Sequence, residues 1–246
     1  NGVKAIKVDF FGGDKQETMR LYEAILTDAN DFGIMVIFHG CTLPRGWERM
    51  FPNYIGSEAV LASENLIFQQ DFCDKAPLYD TLHPFIRNAV GSMEYGGSPL
   101  NRRMHRSNEQ GNYRRTTDAF ELATAVLFQS PQQNFALAPN NLEDAPAAAI
   151  DFMKSVPTMW TDTRFIEGYP GRYVLLERDA RDGGTYTAGI NAEKTARTVT
   201  LKLQSGSYTL LSDGKDGSLR SETLSVKRPR TLKVTMRPNG GFVLAR

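Results

Sequence analysis

The segment from residue 3 to residue 38 most constrains the fold, because it has the pattern of two buried strands joined by a helix. Val3 to Phe11 is apolar and β-branched, and Ile34 to Phe38 is a second apolar run. Residues 14–30 between them carry apolar side chains at helical spacing, with Asp14 as the predicted N-cap. Strands joined through a helix of this length run parallel. The segment therefore predicts a βαβ unit.

The same alternation continues to about residue 156. Ser92 to Tyr95 and Asn134 to Ala138 are short strand-like runs, while residues 116–129 and 145–156 have helical patterns. Alternating strands and helices favour a (β/α) barrel or a doubly wound sheet.

The alternation of strands and helices ends before Tyr173. From there the chain has seven short β-branched and aromatic runs separated by turns such as Asp182-Gly183-Gly184. Their spacing of roughly 8–12 residues is typical of an antiparallel sandwich. We therefore predict an α/β domain over residues 1–168 and a β-sandwich domain over residues 169–246.

Composition excludes several classes of protein. The 29 Lys and Arg residues balance 28 Asp and Glu, so a net charge of +1 gives no reason to expect nucleic acid as a partner. No apolar run approaches the ~20 residues that a membrane span needs. Cys41 and Cys73 fit neither a disulfide framework nor a metal cluster, and two free thiols are favoured over one disulfide.

Candidate catalytic groups follow the predicted strands. Asp9 ends the first strand, His39 ends the second, and Glu94 lies in a strand-like run. Glu58 and Glu64 lie between the second strand and the next helix. Several carboxylates at the carboxyl ends of barrel strands suit glycosidic chemistry, and without a Cys or His cluster they also suit a hard cation such as Ca²⁺.

Each of these residues also has a structural interpretation. Asp9 is equally a turn former, His39 a buried structural histidine, and the two glutamates solvated charges on a helix. Trp47 belongs to an aromatic loop that suits either a core or sugar stacking. The paired glycines make no phosphate-binding fingerprint, so no nucleotide site is predicted.

Four blocks of sequence together resemble glycoside hydrolase family 97. They are GVKAIKVDFF, FHGCTLPRGWERMFPN, SEAVLASEN and WTDTRFIEGYPGRYVLLERDARDGGTYTAGI. The resemblance implies an N-terminal β-sandwich, a catalytic (β/α)8 barrel, a C-terminal β-domain and an active-site calcium ion. Inverting members carry a glutamate after the histidine that matches His39, where this chain has Gly40, so the chain resembles the retaining, α-galactosidase-like group.

The resemblance also implies a role for each candidate residue. Asp9 matches the nucleophile and Glu64 the general acid/base, while Glu58 matches a calcium ligand and the Glu64 carboxylate is a second one. His39 is expected to bind a substrate hydroxyl or to steady a ligand. The other expected substrate-binding residues are Lys7, Trp47 and Glu94. Lys7 shares a strand face with Asp9 and is expected to help to keep Asp9 ionised. Glu94 stands where the family often has an aspartate-containing block, so this chain departs from the family there.

The length leads to a further expectation. A (β/α)8 barrel takes about 250 residues, so we expect only about its last five strands here, followed by the β-sandwich. Asn1 opens almost directly into a strand, which indicates a processed chain or part of a longer one. The missing N-terminal half of the same enzyme, or self-association, would then cover the open barrel edges, and the isolated chain would have little activity.

The expected substrate is an oligosaccharide or an aryl glycoside, cleaved by an exo-acting α-galactosidase. The alternatives are β-L-arabinopyranosidase or α-glucosidase specificity, or a module that only binds carbohydrate. The family implies a periplasmic or secreted protein of a Gram-negative bacterium.

Overall fold

The computed structural model describes residues 2–246, and its first part is a parallel sheet. Strands β1 (Ala5–Val8), β2 (Met35–Phe38) and β3 (Tyr54–Ser57) lie in the order β1-β2-β3, and both pairs are parallel. Helix α1 (Gln16–Asp31) joins β1 to β2. The predicted βαβ unit is confirmed.

The predicted N-cap of α1 is wrong. The helix begins after Lys15, which makes no side-chain cap. The Asp14 carboxylate instead accepts a hydrogen bond from the Arg45 guanidinium at 2.8 Å, because a full positive charge attracts it more strongly than a backbone N–H.

The predicted strand at Asn134–Ala138 is also wrong. Among residues 2–246 the parallel sheet extends beyond β3 only by an isolated bridge from Ser57 to Met93. The segment after Asn134 is a loop, in which Ala136 N–H donates to the Gly97 carbonyl and Leu137 N–H donates to the Phe135 carbonyl. An apolar run of only four residues, Phe135 to Ala138, does not distinguish a strand from a partly buried loop.

Six helices follow β3. They are α2 (Asn65–Phe68), α3 (Gln70–Leu82), α4 (Arg87–Val90), α5 (Asp118–Leu127), α6 (Asn141–Asp144) and α7 (Ala147–Ser155). Helix α5 is buried along almost its whole length, and it is capped by the Thr117 hydroxyl, which accepts from the Phe120 N–H at 3.2 Å. The helix packs against the β-rich part of the chain and so joins the two halves of the molecule. None of the helices in residues 2–246 is long and apolar enough to cross a membrane.

Eight antiparallel strands form the remainder. They are β4 (Trp160–Tyr169), β5 (Tyr173–Ala180), β6 (Thr185–Asn191), β7 (Arg197–Leu203), β8 (Gly206–Asp213), β9 (Leu219–Val226), β10 (Arg230–Met236) and β11 (Gly241–Ala245). Six of them form a sheet in the order β4-β5-β6-β11-β8-β9, and β10 pairs with β7. All seven predicted runs are strands. Strand β4 was missed because it is an edge strand with mostly exposed side chains, so it lacks a buried apolar run.

Trp47 lies in the core of the parallel part, which corrects the prediction that it binds substrate. Its side chain is 2% exposed, and its ring packs 4.7 Å from that of Tyr22 and 5.8 Å from that of Phe38. The large apolar surface of the indole is better buried behind the sheet than left at the rim of a cleft. Both cysteines are free thiols, as predicted.

Candidate active site

Four candidate residues lie where neighbouring strands end. Asp9 follows β1, His39 follows β2 and Glu58 follows β3, while Glu94 follows Met93, which bridges to the end of β3. Parallel strands present their carboxyl ends at one edge of a sheet, so the topology gathers these side chains. Glu64 joins them from the residue immediately before α2.

His39 is the centre of the group. Its Nδ1 lies 2.8 Å from Glu94 Oε2, and its Nε2 lies 3.2 Å from Glu64 Oε1 and 3.4 Å from Glu58 Oε1. Burial on its own would lower the pKa of His39, but the hydrogen bond to Glu94 and the charge of Glu58 raise it above its ordinary value. The surrounding carboxylates therefore outweigh the effect of burial and shift His39 toward its protonated form.

Glu58 is buried, and its carboxylate accepts a hydrogen bond from the backbone of Gly40. The Gly40 N–H donates to Glu58 Oε2 at 2.9 Å. Burial raises the pKa of Glu58, and the nearby charges of Glu64 and Glu94 add to this effect, while the Gly40 N–H and His39 oppose it.

Asp9 and Gly40 lie against each other at the ends of β1 and β2. A Cβ atom built on Gly40 would lie under 3.0 Å from Asp9 Oδ1 and 3.1 Å from the Phe10 nitrogen. Gly40 also has a φ of 51°, in the left-handed region that glycine adopts readily. The absence of a side chain at residue 40 therefore makes room for the Asp9 carboxylate.

Lys7 contacts Glu94. Its Nζ lies 3.1 Å from Glu94 Oε1, and the two side chains form an ion pair in which only the lysine is substantially exposed. Lys7 thus neutralises Glu94 from one side while His39 bonds it from the other. We expected Lys7 to act on Asp9; the contact that the structure shows is with Glu94.

A cleft of about 490 Å³ opens beside this group. Its walls include Lys7, His39, Glu64 and Glu94 together with two loops, residues 99–106 and 134–139. The Glu64 side chain is 47% exposed, so its carboxyl reaches solvent in this cleft. Asp9 is exposed at the adjoining strand end and does not line the cleft.

The donor set suits a cation that prefers oxygen. One ligand atom each from His39, Glu58 and Glu64 lies within 4.8 Å of the others. Ca²⁺ takes carboxylate oxygens in a shell of about 6–8 ligands, so the two glutamates fit part of such a shell and the imidazole nitrogen fits it poorly.

Sequence reasoning missed two sets of supporting residues. Arg87 is buried and donates to four backbone carbonyls, including those of Ser57 and Glu58 at 2.7 and 3.1 Å, so it braces the end of β3. The Tyr95 hydroxyl donates to the buried Asp80 carboxylate at 2.5 Å and anchors the residue after Glu94. Neither residue stands in a recognisable motif, because both contacts join segments that are distant in sequence.

Two family models match the chain. The glycoside hydrolase 97 model matches residues 1–60, and the glycosyl-hydrolase 97 C-terminal, oligomerisation model matches residues 159–245. The chain belongs to glycoside hydrolase family 97.

Individual relatives agree with this assignment. The chain is 34% identical over 245 residues to a probable retaining alpha-galactosidase of Streptomyces bingchenggensis, and 28% identical over 261 residues to a retaining alpha-galactosidase of Bacteroides thetaiotaomicron. These alignments cover 98% and 99% of this chain. The crystal structure of a beta-arabinopyranosidase is similar over 100% of this chain, with 58% identity and a TM-score of 0.94.

The chain spans only part of each of these proteins. It covers 36% and 38% of the two curated relatives and 39% of the beta-arabinopyranosidase chain.

Proposed function

We propose that this chain carries the catalytic residues of a retaining exo-glycosidase. The observation that supports the proposal is the convergence of Asp9, His39, Glu58, Glu64 and Glu94 at one end of the parallel sheet, beside an open cleft. Glu58 and Glu94 are buried beside His39, while Glu64 is exposed in the cleft. We can identify no role in the core for this group. It suits a reaction in which one carboxylate attacks a sugar and another transfers a proton.

In the proposed reaction Asp9 is the nucleophile. Its carboxylate attacks the anomeric carbon while Glu64 protonates the departing glycosidic oxygen, which forms a glycosyl-enzyme ester and releases the leaving group. Glu64 then takes a proton from water, which attacks the ester and frees Asp9 with net retention of configuration. The exposure of Glu64 in the cleft supports its role, because a proton donor must reach the leaving oxygen.

His39 and Lys7 are proposed to hold the carboxylates in place. An imidazolium at His39 donates from Nδ1 to Glu94 and from Nε2 toward Glu64, which fixes the position of the acid/base. Lys7 holds the other oxygen of Glu94. Glu94 is thereby proposed to orient His39 and, as part of the cleft wall, to contact the substrate.

Calcium is proposed to bind Glu58 and Glu64. The ion would contribute positive charge that neutralises the crowded carboxylates and binds sugar hydroxyls. Glu58 already points one oxygen at the Gly40 N–H and the other toward His39, so a cation and His39 would compete for the same carboxylate.

The proposed substrate has the galactose ring configuration. A β-L-arabinopyranoside shares the configuration of an α-D-galactopyranoside from C2 to C4 and lacks only the C6 hydroxymethyl group. The 58% identity to a beta-arabinopyranosidase favours the pentoside, and the names of the curated relatives favour the galactoside as the second candidate.

The strand ends also support a partial (β/α)8 barrel. Three parallel strands and the Met93 bridge are proposed to be consecutive members of a barrel whose other strands come from the rest of the protein. The periplasmic or secreted location stays a prediction.

The test uses the full protein that contains this chain, with 4-nitrophenyl β-L-arabinopyranoside and α-D-galactopyranoside as substrates. We expect Asp9→Gly to lower kcat by at least about 10³-fold, and added azide to restore turnover with a glycosyl azide of inverted configuration. Asp14→Gly is the control, because Asp14 is an exposed aspartate in the same loop that pairs only with Arg45 among the described residues. Turnover by Asp9→Gly at the wild-type rate, or a first-formed sugar of inverted configuration, would refute the mechanism.

A further inference from the structure

The two loops that line the cleft give it walls of a distinct character. Apolar surface comes from Met104, Phe135 and Leu137 in these loops and from Ile67 in α2, and Arg106 supplies a cation. Glu64 lies in the same cleft. Under the proposed function, Glu64 protonates the leaving oxygen, so the leaving group occupies the space that these residues enclose.

The loop from residue 101 to residue 115 contains five arginines, and four of them are bound to the protein. Arg102 and Arg114 both donate to the Thr116 carbonyl, and Arg114 also binds Asp118. Arg115 binds Asp74 at 2.7 Å, and Arg103 donates to the Gly111 carbonyl at 3.2 Å and lies over the Tyr113 ring. These arginines hold the loop together.

Arg106 differs from the other four. It is exposed, lines the cleft, and makes no hydrogen bond or ion pair with any of residues 2–246. The cleft also contains Lys7 and His39, but Lys7 is paired with Glu94, and His39 is paired with Glu94 and Glu64. Among the described residues, Arg106 is therefore the cleft cation that is available to a ligand.

The backbone beside Arg106 is held in place. The Asn101 amide, which is 3% exposed, donates to the His105 carbonyl at 2.8 Å. Its Oδ1 accepts from Asn141 at 2.7 Å and from Asn140 at 2.8 Å, which ties the 99–106 loop to the segment after Pro139. A cation on a braced loop loses little backbone entropy when it binds a ligand.

We infer that Arg106 selects substrates whose leaving group carries a carboxylate, such as an acidic sugar or an acidic aryl group. The inference rests on the proposed function. A guanidinium matches a carboxylate with two parallel N–H donors, and the apolar walls accept the face of a ring. Glu64 and Glu94 would repel an anion in this cleft, so an acidic leaving group requires a compensating cation.

The test uses the full protein and two pairs of aryl glycosides, one pair on β-L-arabinopyranose and one on α-D-galactose. Within each pair the leaving group is 3-carboxy-4-nitrophenol or the neutral 3-carbamoyl-4-nitrophenol. We expect Arg106→Gln to lower the ratio of kcat/KM for the acid over that for the amide by about 5-fold, mainly through KM. Because the ratio is compared between enzymes, differences in leaving-group reactivity cancel.

The matched control is Arg103→Gln, which removes a guanidinium from the same loop but not from the cleft wall. It should leave the ratio unchanged, because the buried Asn101 amide still holds the backbone beside Arg106. The wild-type ratio should also fall as salt rises from about 0.02 M to about 0.5 M, because the Debye length shrinks.

The outcomes separate the two ideas. An unchanged ratio in Arg106→Gln, or an equal fall in Arg103→Gln, overturns this inference and leaves the glycosidase proposal standing. No hydrolysis of any of the glycosides by the wild-type protein overturns the proposed function, and this inference with it.

Discussion

Replacing Gly40 with alanine should remove activity by displacing Asp9. The new Cβ would lie under 3.0 Å from Asp9 Oδ1 and 3.1 Å from the backbone nitrogen of Phe10. Backbone does not move as readily as a flexible side chain, so we expect the Asp9 carboxylate to shift. A misplacement of about 1 Å at a reacting group costs about 100-fold in rate, which corresponds to about 2.7 kcal/mol.

The same substitution carries a second cost that has nothing to do with Asp9. Gly40 has a φ of 51°, and a side chain in this left-handed region costs about 1–2 kcal/mol. Gly33 provides the matched control, because its φ is 64° and a Cβ there would meet nothing within 4 Å. Gly33→Ala should therefore destabilise the protein to a similar degree without touching Asp9.

The assay combines thermal unfolding with turnover of the aryl glycoside that the wild-type protein prefers. We expect both variants to lose about 1–2 kcal/mol of stability, while only Gly40→Ala loses about 100-fold in kcat. Gly40→Ala with a kcat within about 3-fold of wild type would refute the steric reasoning. An equal loss of kcat in Gly33→Ala would show that lost stability, and not the position of Asp9, reduces the activity.

Three further outcomes follow from the described contacts. Trp47→Phe leaves a cavity in the core, so it should lower the free energy of unfolding by about 1–3 kcal/mol with KM unchanged. A raised KM with unchanged stability would instead indicate that Trp47 contacts substrate. If calcium binds as proposed, it should stabilise the folded protein by about 2.7 kcal/mol at a concentration of 100 times Kd, and so raise the unfolding temperature. A temperature shift of equal size in Glu58→Gln would exclude Glu58 as a ligand. Burial lowers the pKa of His83 to about 4, so the unfolded state takes up the proton first, and stability should fall by about 3 kcal/mol as pH drops from about 6.5 to 4. Burial raises the pKa of nearby Asp80, so its titration changes stability in the opposite direction. The free energy of unfolding is therefore measured against pH for both the wild type and His83→Gln. Identical curves for the two proteins would contradict the role of His83.

Local patterns predicted those elements whose side chains are buried on one face. Helix α1 buries Tyr22, Leu26 and Ala29 on one side, strands β7 and β10 bury alternate residues, and β11 is apolar throughout. Strand β4 and the loop at residues 134–138 were misassigned for opposite reasons: the strand is exposed, and the loop is apolar. In both cases burial, which depends on the rest of the fold, decided the outcome.

The candidate site was predictable residue by residue but not as a group. Asp9 and His39 follow the two predicted strands, so their proximity follows from a parallel sheet. Glu58 follows β3, a strand that the sequence pattern did not predict. The side chains that contact these residues could not be predicted from the sequence. Lys7 contacts Glu94, which lies 87 residues away, and His39 binds Glu94 and Glu64 from two different segments.

The sequence by itself therefore determined that a parallel sheet is followed by antiparallel strands, and that Asp9 and His39 stand where two of the parallel strands end. These properties depend on periodicity and residue type, which are local. Tertiary structure alone decided that Trp47 is core, that Gly40 makes room for Asp9, and that Arg106 lines the cleft without a partner while its neighbours are bound. Each of these depends on atoms brought together from distant segments, and distances between such atoms are set by packing and not by local sequence pattern.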